Sequence, residues 1–136
     1  ECVNDFIPMA SQKNIKLFCS GISAGINADR RLVREMIDNL LQNAIRYNKE
    51  NGTVKVHVTI ENGHPMISVE DTGIGIPADQ LDRVFERFYR VDKSRSRETG
   101  GTGLGLAIVK HIAELHSAEI AIHSIVDEGT EIVVRF

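Results

Sequence analysis

An α+β fold, with helices on one face of a mostly antiparallel sheet, is what this 136-residue sequence predicts. Three observations carry that expectation. Val54, Val56, Val58 and Ile60 alternate with Lys55, His57 and Thr59, the period of a strand buried on one face. Asn62-Gly63 follows as a two-residue hairpin turn into a second strand. Residues 29–47 and 104–116 instead repeat their apolar positions at helical spacing.

The elements follow in order. Residues 3–13 read as the end of a helix, interrupted early by Pro8. Ile15, Leu17 and Cys19 alternate with polar residues, as a strand would. Asp29 is the N-cap of a helix with Val33, Ile37, Leu40, Leu41, Ala44 and Ile45 on its inner face. After the Asn62-Gly63 turn the return strand covers about 66–70. Pro77 leads into a short helix over 79–87. Residues 92–103, rich in charge, Ser, Thr and Gly, read as a mobile loop. In the second long helix Leu106, Ile108, Val109, Ile112, Ala113 and Leu115 are apolar. Residues 120–125 and 131–136 form a last hairpin across Asp127-Glu128-Gly129-Thr130.

The length suits one domain with a sizeable core. A net charge of -3 argues against non-specific nucleic-acid binding. No apolar run approaches the roughly 20 residues of a membrane span, and no signal-peptide pattern is present. Cys2 and Cys19 are too few for a disulfide framework or a metal site and read as reduced thiols. The chain opens on Glu1 rather than methionine, which suggests a piece of a longer protein.

Four segments carry chemistry: NLLQNAIRYN (39–48), DTGIGIP (71–77), RVFERFYR (83–90) and GGTGLGLAIVK (100–110). Asn39 and Asn43, four apart, share one helix face, and an amide oxygen is a hard donor suited to Mg²⁺. Asp71 ends the strand, and a buried carboxylate needs a partner. Gly73 and Gly75 let the backbone turn and come close to a ligand. Phe85 and Phe88, one turn apart, form a small hydrophobic anchor. Arg90, Lys93 and Arg95 stand beside a glycine loop, where cations neutralise phosphoryl charge. Gly101, Thr102, Gly103, Leu104 and Gly105 open a helix whose bare amides favour phosphate. Each segment alone has an ordinary structural reading, and the glycines match neither a P-loop nor a Rossmann fingerprint. Together, in this order, they describe a site for a Mg-nucleotide.

From about residue 13 to 136 the four segments resemble the N, G1, F and G2 boxes of sensor histidine kinases, in the catalytic and ATP-binding domain of the GHKL superfamily. The resemblance implies a two-layer sandwich of about three helices on a mixed, mostly antiparallel sheet of about five strands. It implies ATP and Mg²⁺ as ligands, with Asn43 on the metal, Arg46 at the phosphates and Tyr47 beside the base. Asp71 would accept from the adenine exocyclic amine and select adenine over guanine. Asn39, Gly73, Gly75, Ile76, Tyr89, Lys93, Arg95, Gly101, Thr102, Gly103, Leu104, Gly105 and Leu106 would complete the nucleotide site. Thr130 would help hold a water near adenine. Residues 77–103 would form a lid pinned by Phe85 and Phe88. Asn43 and Arg90 would serve phosphoryl transfer.

Hydrolases of the superfamily usually place a glutamate base at the position of Asn39. Asparagine takes no proton at neutral pH, so the chain is poorly equipped to hydrolyse ATP. None of its five histidines fits the phosphoacceptor motif. The resemblance therefore implies a histidine acceptor on a separate helical dimerisation domain, a downstream response regulator, and no nucleic-acid partner. The expected setting is a monomeric cytoplasmic domain of a homodimeric, membrane-anchored kinase. Arg46 stands where Lys is commoner, and Ser117 where Gly is, so the turn after the second long helix is expected to differ. Two rivals stay open: a hydrolase or Ser/Thr-directed relative, which Asn39 and the phenylalanine pair oppose, and a nucleotide-binding module without transfer.

Overall fold

The computed structural model describes residues 2–89 and 104–136. Its centre is a five-stranded sheet of order β1-β2-β3-β5-β4. The strands are β1 (Lys16–Gly21), β2 (Thr53–Glu61), β3 (His64–Asp71), β4 (Glu119–Ile125) and β5 (Gly129–Arg135). β1 runs parallel to β2, and every other neighbouring pair is antiparallel. Two long helices, α3 (Arg30–Arg46) and α4 (Gly105–Leu115), pack on each other and on one sheet face. Two short helices, α1 (Cys2–Asp5) and α2 (Ile7–Ser11), precede β1. This is the expected α+β sandwich.

Local chemistry explains most boundaries. Asp29 Oδ1 accepts from the backbone N–H groups of Arg31 at 2.9 Å and Leu32 at 3.3 Å, capping α3. Asn62 and Gly63 sit at φ 52 and 78, as a two-residue hairpin between twisted strands requires. Pro8 stands in the first turn of α2 and has no N–H to donate to the carbonyl four residues back, so the N-terminal stretch is two short helices rather than one.

The core lies between the two layers. Leu40, Leu41, Ala44 and Ile45 of α3 and Leu106, Val109, Ile112 and Ala113 of α4 meet Val54, Val56, Ile67, Val69, Ile132 and Val134 of the sheet. Met36 is fully buried, a core position absent from the expected inner face, while Val33 and Ile37 are only half-buried. Ile60 is 45% exposed, because the hairpin of β2 and β3 runs beyond the helices that would cover it.

The short helix expected over 79–87 is a single 3-10 turn, Ala78–Gln80, followed by turns. Backbone bonds close every third residue: Gln80 to Pro77, Arg83 to Gln80, Glu86 to Arg83 and Tyr89 to Glu86. A three-residue period sets Leu81 and Val84 on one side, and these are half-buried and buried. The phenylalanine pair does not anchor as a unit. Phe85 packs on the core, but Phe88 sits at φ 62 and is 70% exposed. The loop expected over 92–103 lies outside the described residues.

The turn after α4 is the glycine-type turn even though Ser117 occupies it. Ala118 N–H reaches Ala113 O at 2.8 Å, Ser117 N–H reaches Glu114 O at 3.1 Å, and Ser117 takes φ 53. A side chain there strains the backbone. Ser117→Gly is therefore expected to raise the unfolding free energy by about 0.5–1 kcal/mol. Urea denaturation checks this, and an unchanged midpoint would show that the serine is already at ease.

Among the described residues, no helix is long and apolar enough to cross a membrane, and no cluster of metal-binding side chains forms. Neither Cys2 nor Cys19 forms a disulfide among the described residues.

Candidate functional site

Pairing across β2, β3, β5 and β4 stacks the inner sheet face into rungs. Val58, Ile67, Val134 and Ile120 form one rung, and Val56, Val69, Ile132 and Ile122 the next. The third is Val54, Asp71, Thr130 and Ser124. An apolar face thus ends in three adjacent polar side chains.

Burial removes water from the Asp71 carboxylate and raises its pKa to about 6, against the opposing effect of N–H groups from Gly73 and Thr130. The Gly73 bond to Asp71 Oδ1 measures 2.8 Å. A carboxylate held partly dehydrated at the end of a core face suits a ligand that brings its own proton donors.

The loop after Asp71 is tied on two sides. Ile74 N–H donates to Tyr47 O at the end of α3, at 3.1 Å. On the other side Ile76 N–H donates to Ser124 Oγ at 2.7 Å, and Asp127 N–H donates to Ile74 O at 2.9 Å. Gly73 is required by close approach: a Cβ there would stand 2.4 Å from Tyr47 O and 2.8 Å from Asp71 Oδ1. Gly75, at φ 71, faces Ile125 in the same seam.

The C-terminal end of α3 is held with equal care. Asn48, buried, donates from Nδ2 to Thr53 O at 2.9 Å and accepts from Thr72 Oγ1 at 3.2 Å. Lys13 Nζ bonds the carbonyls of Arg46 at 2.7 Å and of Ile45 and Asn48 at 3.3 Å. An ammonium on the last carbonyls of a helix satisfies orphan acceptors and complements the helix dipole.

Farther along α3, Asn39 and Asn43 are half-buried. Asn39 Nδ2 donates back to Glu35 O at 2.8 Å. A Cβ on Gly105 would lie 3.3 Å from Asn39 Oδ1, so the start of α4 abuts this asparagine. Leu106, one residue on, is buried. Among the described residues no side chain caps the N-terminus of α4. Arg46 Nε is buried without a hydrogen-bond partner among the described residues. A buried guanidinium donor is a group that phosphate oxygens can satisfy. The residues therefore suit a ligand that brings proton donors to Asp71 and negative charge to Arg46. The carboxamide oxygen of Asn43 is a hard donor that could hold a divalent cation.

Asp71, Gly73, Gly75, Ile76, Thr130 and the end of α3 at Tyr47 are brought together, and Asn39 meets the α4 start that contains Leu104 and Gly105. Tyr89 is half-buried, its hydroxyl donating to Gln80 Oε1 at 2.7 Å and its ring 4.5 Å beneath the Arg83 guanidinium. Arg90, Lys93, Arg95, Gly101, Thr102 and Gly103 lie outside the described residues. Sequence reasoning missed Lys13, Asn48 and Ser124. Only Ser124 left a signal: it breaks the apolar alternation of Ile120 and Ile122.

Residues 28–136 match the family described as histidine kinase-, DNA gyrase B-, and HSP90-like ATPase. The chain is 40% identical over 125 residues to the sensor histidine kinase YkoH of Bacillus subtilis, covering 92% of this chain and 27% of YkoH. It therefore spans about a quarter of that relative's length. Among solved structures, a mycobacterial sensor histidine kinase, MprB, superposes with a TM-score of 0.84 at 26% identity, covering 99% of this chain and 92% of that one. Full-length ShkA, in complex with AMPPNP, gives a TM-score of 0.83 at 28% identity, covering 98% of this chain and 28% of that one.

Proposed function

This chain belongs to the histidine kinase-, DNA gyrase B-, and HSP90-like ATPase family, as the ATPase domain found in sensor histidine kinases, and we propose that it binds Mg-ATP and donates the γ-phosphate to a histidine on a separate helical domain. The observation that carries the reading is the Asp71 rung: a partly dehydrated carboxylate at the end of the core face, backed by the tied glycine loop.

In this reading Asp71 accepts from the adenine amine, and Tyr47, Gly73, Gly75 and Ile76 line the base. Arg46 and the start of α4, with Leu104, Gly105 and Leu106, hold phosphate oxygens by charge-assisted bonds. Asn43 offers its amide oxygen to Mg²⁺, and the metal when bound neutralises charge on the phosphates. Arg90, Lys93 and Arg95 supply further positive charge from a lid over 77–103, with Gly101, Thr102 and Gly103 at its hinge. Asn39 provides no general base, so transfer to an imidazole, which already carries a lone pair, is favoured over attack by water. Catalysis is positioning and charge neutralisation. The partners are the phosphoacceptor and dimerisation domain of a homodimeric, membrane-anchored parent and a downstream response regulator, with this domain monomeric in the cytoplasm.

Calorimetric titration with Mg-ATP and Mg-GTP tests the reading. Binding of ATP and not GTP, with phosphoryl label from γ-labelled ATP appearing on an added phosphoacceptor domain and not on this chain, is the expected result. A steady ATPase rate without acceptor would favour the hydrolase, and no binding of either nucleotide would leave an interaction module.

A further inference from the structure

Ser124 Oγ makes three hydrogen bonds with one proton. Ile76 N–H lies 2.7 Å away and can only donate. Gly129 O lies 3.0 Å away and can only accept. Thr130 Oγ1 lies 2.8 Å away and could do either. If Ser124 gave its proton to Thr130, its oxygen would face the Gly129 carbonyl oxygen with no proton between them. If it gives the proton to Gly129, both its lone pairs are used, one by Ile76 N–H and one by Thr130 O–H. Only the second assignment satisfies all three contacts.

The consequence reaches the ligand side. Thr130 spends its single proton on Ser124 and keeps only lone pairs for anything else. Its neighbour on the rung, Asp71, accepts the Thr130 backbone N–H and likewise offers only acceptors. Directly paired residues share a sheet face, so both groups border the same corner.

We propose that Ser124 sets the specificity of the base pocket by locking the Thr130 hydroxyl as an acceptor, so that the corner admits a 6-amino purine and rejects a 6-oxo purine. Ser124 is a positioning residue here, and the inference rests on the reading of the site as a purine-nucleotide site. An amino group brings two protons to a corner of acceptors, whereas a carbonyl oxygen brings a third acceptor.

Titration with Mg-ATP and Mg-ITP, which differ at that group, tests this in wild type, Ser124→Ala and Thr130→Val. Wild type is expected to prefer ATP. In Ser124→Ala the threonine hydroxyl can turn and donate, so the ATP-to-ITP affinity ratio is expected to fall by about tenfold. Thr130→Val keeps the Ser124 bonds to Ile76 and Gly129 and deletes one opposing acceptor, and it is expected to lower the ratio as well. Thr130→Val also decides the matter if Ser124→Ala does not fold. Equal weakening of both nucleotides in Ser124→Ala would reduce Ser124 to a structural tie. A Thr130→Val variant that loses ITP more than ATP would make Thr130 a donor. Either result overturns the proposal while leaving the nucleotide site standing. Wild type binding neither nucleotide would remove the site reading, and the proposal with it.

Discussion

Asp71→Asn is expected to lose nucleotide binding by at least roughly a hundredfold while making the ligand-free domain more stable. The two effects share one cause. Burial lifts the Asp71 pKa to about 6, so the native state holds a proton that the unfolded chain, titrating near pH 4, has already released. The unfolding free energy therefore falls as pH rises from about 4 to about 6, by a total of about 3 kcal/mol, and is level above that window. Asparagine carries no charge to desolvate. It also gives up the charge-assisted bonds from Gly73 and Thr130, so its net gain at pH 8 is expected to be roughly 1–2 kcal/mol. Urea denaturation at pH 4.5 and pH 8 checks both parts. A wild type with no slope between those pH values, or a variant weaker at pH 8, would contradict the assignment of strain to this carboxylate. ATP affinity should follow the opposite course. The bound amine favours the charged form, so affinity should drop as pH falls below about 6.

Gly129→Ala is expected to disable the domain from the other strand. Gly129 sits at φ 135, and a Cβ there would stand 2.0 Å from Asp71 O. Relief requires β5 to leave β3 at the rung that holds Asp71 and Thr130. The expected cost is about 3 kcal/mol or more, a fall in Tm of roughly 10 °C for a domain of this size, and loss of the Asp71-dependent site. Differential scanning calorimetry measures the first effect and ATP titration the second. A variant with wild-type Tm would mean that the hairpin tip yields without disturbing the rung.

The parts of the fold legible in the sequence were those governed by short-range rules. The alternation of Val54, Val56 and Val58, the Asp29 cap and the Asn62-Gly63 turn each depend on residues a few positions apart, and each stands where it was expected. Motif order made Asp71, Gly73, Gly75 and Asn39 conspicuous for the same reason. What escaped was decided by distant neighbours. Lys13 reaches carbonyls more than 30 residues away, and nothing in its own segment marks it. Asn48 was passed over because its partners, Thr53 and Thr72, belong to other elements. Phe88 carried a helical spacing but not the helix to use it, since the backbone turns to φ 62 at Phe88 itself and leaves the ring 70% exposed. Ser124 was legible only in retrospect, once strand pairing set it beside Thr130 and Asp71.

The N-terminal segment bears on where this domain can be cut. The family match starts at residue 28, yet β1 and Lys13 lie before it. An excised protein beginning at the edge of that match would expose the whole flank of β2 as an unpaired edge, an invitation to strand-swapped oligomers. It would also strip the ammonium from the carbonyls that end α3. The smallest piece worth purifying therefore begins upstream of Lys13, and a shorter one would report on aggregation rather than on nucleotide.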